Sequence, residues 1–325
     1  MNQIHLGKTG LKVSPICMGT GHYGTGTSRE LSFRQLDEYT ELGANFIDTA
    51  HVYGEWVPGE KSPSEKTIGE WLHLTGKRDR LVIMTKGGHP KLETMHISRC
   101  TPEDIKTDIA ESLEYLGVDR IDLYVLHRDN PALPVESLLE VLEKTRLQGK
   151  IGHYGFSNWK LPRILEAEAC AARMGIEGFT CNQAMWSLAE INTGNIPDKT
   201  MIPMDGEMYK WHCGSGVSVT AYNSTAKGFF SKLEKGQEIS DKQKSLYENE
   251  KNRLLFSLIK RSTEELGVPA LAFSLGYMRK HPFPSVPITA FSKKNQLQEA
   301  IAACETNLPD DMVAKMNALK GLNRY

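Results

Sequence analysis

Short apolar runs alternate with longer amphipathic stretches along the whole chain. Eight runs have the length and residue types of buried strands: 16–18, 46–47, 81–85, 121–126, 153–156, 179–181, 217–221 and 286–288. The stretches between them repeat apolar residues at helical spacing and carry their own start and stop signals. Thr101 ahead of Pro102, Glu103 and Asp104 supplies a capping hydroxyl, a proline in the first turn and two carboxylates at the positive helix end. Ile105, Ile109, Leu113 and Leu116 then share one face, and Gly117 ends the helix. Pro134 opens another, carrying Leu138, Leu139, Val141 and Leu142.

Strands that are apolar on both faces and separated by helices form a parallel sheet covered on both sides. Eight such units predict an α/β fold, a (β/α)8 TIM barrel. The chain of 325 residues suits one barrel with additions, so residues 1–325 read as a single domain. Residues 4–13 predict an N-terminal β-hairpin around Thr9-Gly10. Excursions at 193–213, after the sixth strand, and 232–252, after the seventh, predict extra loops or helices at the C-terminal face. The first excursion holds Met201, Met204, Met208, Tyr209 and Trp211, the composition of a packed lid. With Trp56 and the loop 89–101, it shapes the mouth.

The net charge of −1, with both signs interspersed, argues against a nucleic-acid partner. No apolar run approaches the ~20 residues of a membrane span, and the first residues lack the basic and apolar regions of a secretory signal. Six scattered cysteines without a CxxC pair predict reduced thiols, no structural zinc and a cytoplasmic setting.

Candidate chemistry lies where the strands end. The second predicted strand runs into Asp48, with Tyr53 in its loop; the third ends at Lys86 and the fourth at His127. Any one of these alone reads as a turn cap or a solvated rim residue. On three adjacent strands they form a working set. A phenol with a pKa of roughly 10 is a poor acid until a cation approaches. A Lys ammonium ~4 Å away at an effective dielectric of ~20 interacts with a phenolate by ~4 kcal/mol, at most roughly three pKa units. Lys86 would need a carboxylate partner to stay charged, and Asp48 offers one. A neutral His127 could orient a substrate oxygen towards Tyr53. Gly19-Thr20-Gly21-His22-Tyr23-Gly24 matches the glycine fingerprint of a dinucleotide-binding turn. Its helical pattern begins only near Ser32 or Phe33, so we read Gly21 and His22 as a loop passing close to a ligand.

Asp48 followed by Tyr53-Gly54, Thr85-Lys86, the segment 116–127 ending in His127, and Leu6-Gly7-Lys8-Thr9-Gly10 resemble the aldo-keto reductase superfamily over essentially the whole chain. The resemblance implies direct hydride transfer to a carbonyl from a nicotinamide cofactor bound without a Rossmann fold. It makes Asp48, Tyr53, Lys86 and His127 the catalytic tetrad, with Tyr53 the proton donor. Ser157 and Asn158, within Gly155-Phe156-Ser157-Asn158, and Gln183 would hold the carboxamide, and Tyr222 would stack on the nicotinamide ring. Asn223, Thr225 and Gly228 follow where the family continues its cofactor loop, with Asn223-Ser224-Thr225 replacing its usual Ser-Pro-Leu. At the 2′-phosphate and adenine end stand Ser292, Lys293, Gln296 and Glu299. Glu299 matches the family, whereas Gln296 replaces an Arg and Ala300 an Asn. NADP is the expected cofactor and NAD the second candidate, with a small-molecule carbonyl as substrate and no metal. The same resemblance admits a cofactor-sensing regulatory subunit with little turnover. A metal-dependent hydrolase built on His22, His51, His89 and His127 is disfavoured because no His-x-His pair ends a strand.

Overall fold

The computed structural model describes residues 1–291 and 295–322. Strands β1 (Ile4–His5) and β2 (Lys12–Val13) pair antiparallel, with Ile4 opposite Val13. A 3-10 turn at Gly7–Thr9 and a left-handed Gly10 close this hairpin, a wider connection than Thr9-Gly10 alone. Eight parallel strands follow: β3 (Cys17–Gly19), β4 (Phe46–Asp48), β5 (Val82–Gly87), β6 (Ile121–Leu126), β7 (Ile151–Ser157), β8 (Cys181–Met185), β9 (Ser218–Tyr222) and β10 (Ser285–Thr289). They pair in chain order, and β10 returns to β3 to close the barrel. The closed parallel order rules out the doubly wound sheet that the glycine fingerprint would require.

The predicted helix Pro102–Leu116 has the Thr101 side chain accepting from the Asp104 N–H and Gly117 in the left-handed region at its end. The first helix, Arg29–Glu41, starts earlier than its apolar periodicity, because Ser28 caps it through the Leu31 N–H. β8 is displaced most from its predicted position, running from Cys181 to Met185 and not ending at 181. Asn182 and Gln183 look like the end of an apolar run in the sequence. Both are buried, and distant partners satisfy both: Asn182 bonds His212 at 3.0 Å, and Gln183 bonds Asp48. The excursion after β8 contains the helix Gly206–Ser215, and the one after β9 contains the helices Phe229–Glu234 and Asp241–Tyr247.

The alternation of side chains along each strand positions the site. Val82 and Met84 point into the barrel with Phe46, Leu123, Val125 and Cys181, while Ile83, Ile47 and Tyr124 point outwards to the helices. Leu6 and Val13 of the hairpin join the interior cluster. Continuing the inward rows by two residues gives Lys86 after Met84, His127 after Val125, Asp48 after Phe46 and Gln183 after Cys181. Gly87, on the outward row, could carry no side chain, since a Cβ there would fall 1.9 Å from the Tyr124 hydroxyl. No helix among the described residues is long and apolar enough to cross a membrane.

Candidate active site

The inward rows end in a buried polar layer at the C-terminal mouth. Lys86 is fully buried; its Nζ donates to Asp48 Oδ1 at 2.6 Å and to the Thr49 carbonyl. The same Nζ lies 4.4 Å from the centroid of the Tyr53 ring. Tyr53 reaches this point because the chain leaving β4 folds back over β5: the Thr49 N–H donates to Met84 O and the His51 N–H to Lys86 O, both at 2.9 Å. A tight turn then links the Tyr53 N–H to Ala50 O at 2.9 Å. The His127 ring stands 6.0 Å from that of Tyr53, and its Nδ1 is buried without a hydrogen-bond partner among the described residues. Asp48, Tyr53, Lys86 and His127 therefore converge on one spot.

Burial works against every charge here, and for Lys86 alone of the four do the partners outweigh it. For Lys86 the attraction of Asp48 and Tyr53 overcomes burial and holds the ammonium more firmly than usual. Burial raises the Asp48 carboxyl, while Lys86 and Gln183 draw it back. His127 is pushed well below the ordinary imidazole range, first by burial and then by His89, Arg128 and Lys86, so it is neutral at pH 7. The Tyr53 phenol differs from the sequence expectation: burial lifts it above its ordinary value even though Lys86 pulls it down. The acidifying cation is in place, but desolvation by the surrounding mouth outweighs it.

Ser157 and Gln183 sit opposite each other in the β7–β8 register, and the Ser157 hydroxyl donates to Gln183 O at 2.8 Å. Asn158, with φ +63°, uses both ends of its amide within the protein. Its nitrogen donates to Ser157 Oγ at 2.9 Å and to His127 O at 3.2 Å. Its oxygen accepts from the Tyr222 hydroxyl at 2.7 Å and the Ile202 N–H at 3.1 Å. The carboxamide candidates thus form one network with Tyr222 and with the excursion after β8. Asn223 and Thr225 accept turn bonds from Ala226 and Gly228 at 2.7 and 2.9 Å, and Ser224 ties this turn to Ile288 O. Gln296 begins the helix Gln296–Glu305, on which Glu299 is exposed. Ser292 and Lys293 lie outside the described residues.

On the outer side of Tyr53, a Cβ on Gly21 would lie 3.9 Å from the Tyr53 ring and 4.0 Å from Trp56. His22 meets Trp56 edge-on at 5.9 Å. Of the other histidines, His51 bonds Glu111 at 2.7 Å, and the His89 ring lies 4.8 Å from that of His127. Sequence reasoning had no role for Arg128. It is buried directly after His127 and bonds Asp198 at 2.9 Å and Thr200 at 2.7 Å. It clasps the excursion after β8 to the mouth. Arg128 was visible as a charge at a strand end, but no local spacing links it to Asp198.

A closed barrel whose C-terminal mouth gathers buried ionisable groups is the architecture of a barrel enzyme. The chain belongs to the aldo/keto reductase family, whose profile matches residues 15–320. NAD(P)H-dependent reduction of carbonyls is the activity this membership implies. The uncharacterized oxidoreductase YrpG of Bacillus subtilis is 27% identical over 98% of this chain and 95% of its own. The aryl-alcohol dehydrogenase [NADP(+)] of Phanerodontia chrysosporium is 25% identical over 97% of this chain and 84% of its own. Among solved structures, the holo form of aldo-keto reductase AKR11C1 from Bacillus halodurans shares the fold with a TM-score of 0.76, at 23% identity, covering 100% of this chain and 98% of that one.

Proposed function

We propose that this chain, acting as one barrel domain, is an NADPH-dependent reductase of aldehyde, ketone or sugar carbonyls in which Tyr53 donates the proton. The observation that carries the proposal is the placement of Lys86 Nζ, 2.6 Å from Asp48 Oδ1 and 4.4 Å from the Tyr53 ring centroid, at the barrel mouth. The lining suits a nicotinamide: Ser157, Asn158 and Gln183 carry a hydroxyl and two amides beside the half-buried Tyr222 ring, and a bound carboxamide would take over some of the hydrogen bonds that they now make to one another and to their neighbours. The bound cofactor supplies the hydride to the carbonyl carbon.

The residues of the chain do the rest. Neutral His127 directs a ring nitrogen at the carbonyl oxygen and holds it near Tyr53. As negative charge develops on that oxygen, the phenol gives up its proton, and Lys86 stabilises the phenolate left behind. Asp48 keeps Lys86 charged in a site where an unpaired ammonium would lose its proton. At the far end of the cofactor, Ser292, Lys293 and Gln296 would hold the adenosine 2′-phosphate and Glu299 the adenine, without the bidentate Arg that would fix the phosphate firmly. The NADP(+) in the name of the Phanerodontia relative supports the choice of cofactor, and a modest preference for NADPH over NADH is expected. The test follows oxidation of each cofactor with a panel of small carbonyls. Carbonyl-dependent oxidation with NADPH favoured is expected; tight cofactor binding with no turnover across the panel would point to a regulatory subunit.

A further inference from the structure

Beside Tyr53 the mouth carries an aromatic wall that the reduction chemistry leaves unused. Trp56 is 45% exposed, and so is Val57 beside it. Trp56 belongs to none of the hydrophobic core clusters, and its indole N–H makes no hydrogen bond to any described residue. It is nevertheless held in place. Its ring meets Tyr53 at 6.1 Å and 60°, and His22 meets it at 5.9 Å and 74°. Gly21 approaches both Tyr53 and Trp56 without filling the space that a side chain would take. On the other flank of Tyr53, His127 stands 6.0 Å away, with His89 a further 4.8 Å on. Rings therefore flank Tyr53 on both sides, and the outermost is open to solvent. An exposed indole packed edge-on beside a reactive phenol leaves apolar, electron-rich surface open next to it.

We propose that Trp56, backed by His22, is a specificity-determining residue that selects carbonyl compounds bearing an aromatic ring. The aryl group lies against Trp56 while the carbonyl oxygen reaches Tyr53 and His127. The inference rests on the reductase reading and adds the substrate class to it. Gly21 contributes by leaving room: a larger side chain there would occupy the aryl position.

The experiment compares benzaldehyde with cyclohexanecarbaldehyde, close in size but differing in aromaticity, in the wild type, Trp56→Ala and Trp56→Phe. Trp56 is exposed, so these changes leave the core intact. The ratio of kcat/KM for the aromatic aldehyde to that for the saturated one is expected to fall about tenfold in Trp56→Ala, the size of one favourable aromatic contact. In Trp56→Phe it should stay within about threefold of the wild type. An unchanged ratio in Trp56→Ala, with the wild type active, overturns the role of Trp56 and leaves the reductase reading standing. Should the wild type reduce neither aldehyde, the reductase reading is decided by the wider carbonyl panel. Trp56 is then judged by equilibrium binding of 4-nitrobenzaldehyde to the cofactor-loaded protein: weaker binding in Trp56→Ala but not in Trp56→Phe supports the wall, and equal binding in all three overturns it.

Discussion

Gln183 donates its side-chain amide to Asp48 Oδ1 at 2.8 Å, onto the same oxygen that receives Lys86 at 2.6 Å. Strands β8 and β4 are not neighbours, so this bond crosses the barrel interior. It joins a residue expected at the cofactor to the acid that neutralises Lys86. A charged acceptor fully out of water needs both donors, and loss of one leaves lone pairs without compensation.

Gln183→Leu is therefore expected to destabilise the fold by about 2 kcal/mol, read from urea unfolding, and to weaken cofactor binding. A change under about 0.5 kcal/mol, within the range of ordinary surface substitutions, would mean that Asp48 does not depend on this donor.

Tyr53→Phe should lower kcat for any reduced carbonyl by at least ~10²-fold, the usual size of a general-acid contribution, while cofactor affinity stays close to wild type. Retention of a tenth of the activity would remove Tyr53 as the donor.

Lys86→Met should be similarly damaging, and the pH profile of any residual activity should move upward. Burial already holds the Tyr53 phenol high and Lys86 opposes it, so removing the cation leaves burial and the Asp48 charge to raise it further. An unshifted profile would show that Lys86 does not govern the phenol.

Glu65 gives a pH test independent of catalysis. It is fully buried on the helix Pro63–Thr75, its Oε1 accepts from the Thr85 hydroxyl, and its Oε2 has no partner among the described residues. Burial raises its carboxyl from 4.5 to about 7, with the Thr85 bond opposing. Between those values the folded chain holds a proton that the unfolded chain has lost. The contribution of Glu65 to stability is thus intact below about pH 4.5, declines as pH rises and is level above about 7. Glu65→Gln removes this dependence. Its stability relative to wild type should be about 2 kcal/mol more favourable at pH 8 than at pH 5. Parallel curves for the two proteins across that range would contradict it.

Arg128 and Asp198 should couple in a double-mutant cycle by about 1–2 kcal/mol, since Arg128 is buried and the pair fastens the excursion after β8. Additive effects of Arg128→Ala and Asp198→Ala on unfolding would show that the clasp holds nothing.

Local information in the chain determines the elements and which strand residues share a face, while closure of the barrel decides which face is inward. Thr101 and Gly117 bound their helix through bonds to near neighbours, and the period of two along a strand puts Lys86 on the same face as Met84 and His127 on the same face as Val125. Eight such strands with helices between them leave closure into a barrel as the natural way to cover every apolar face. Only the tertiary structure decides relationships whose partners are far apart in sequence. Gln183 meets Asp48 across 135 positions and Arg128 meets Asp198 across 70, and no spacing rule links residues so far apart. The polar Asn182 and Gln183 conceal the true extent of β8, because a strand reads as apolar in sequence while its buried polar groups are matched only by folding. The proton affinity of Tyr53 lies beyond the sequence for the same reason: a nearby Lys can be inferred from strand order, but desolvation is the sum of everything packed around the phenol, and here that sum outweighs the charge.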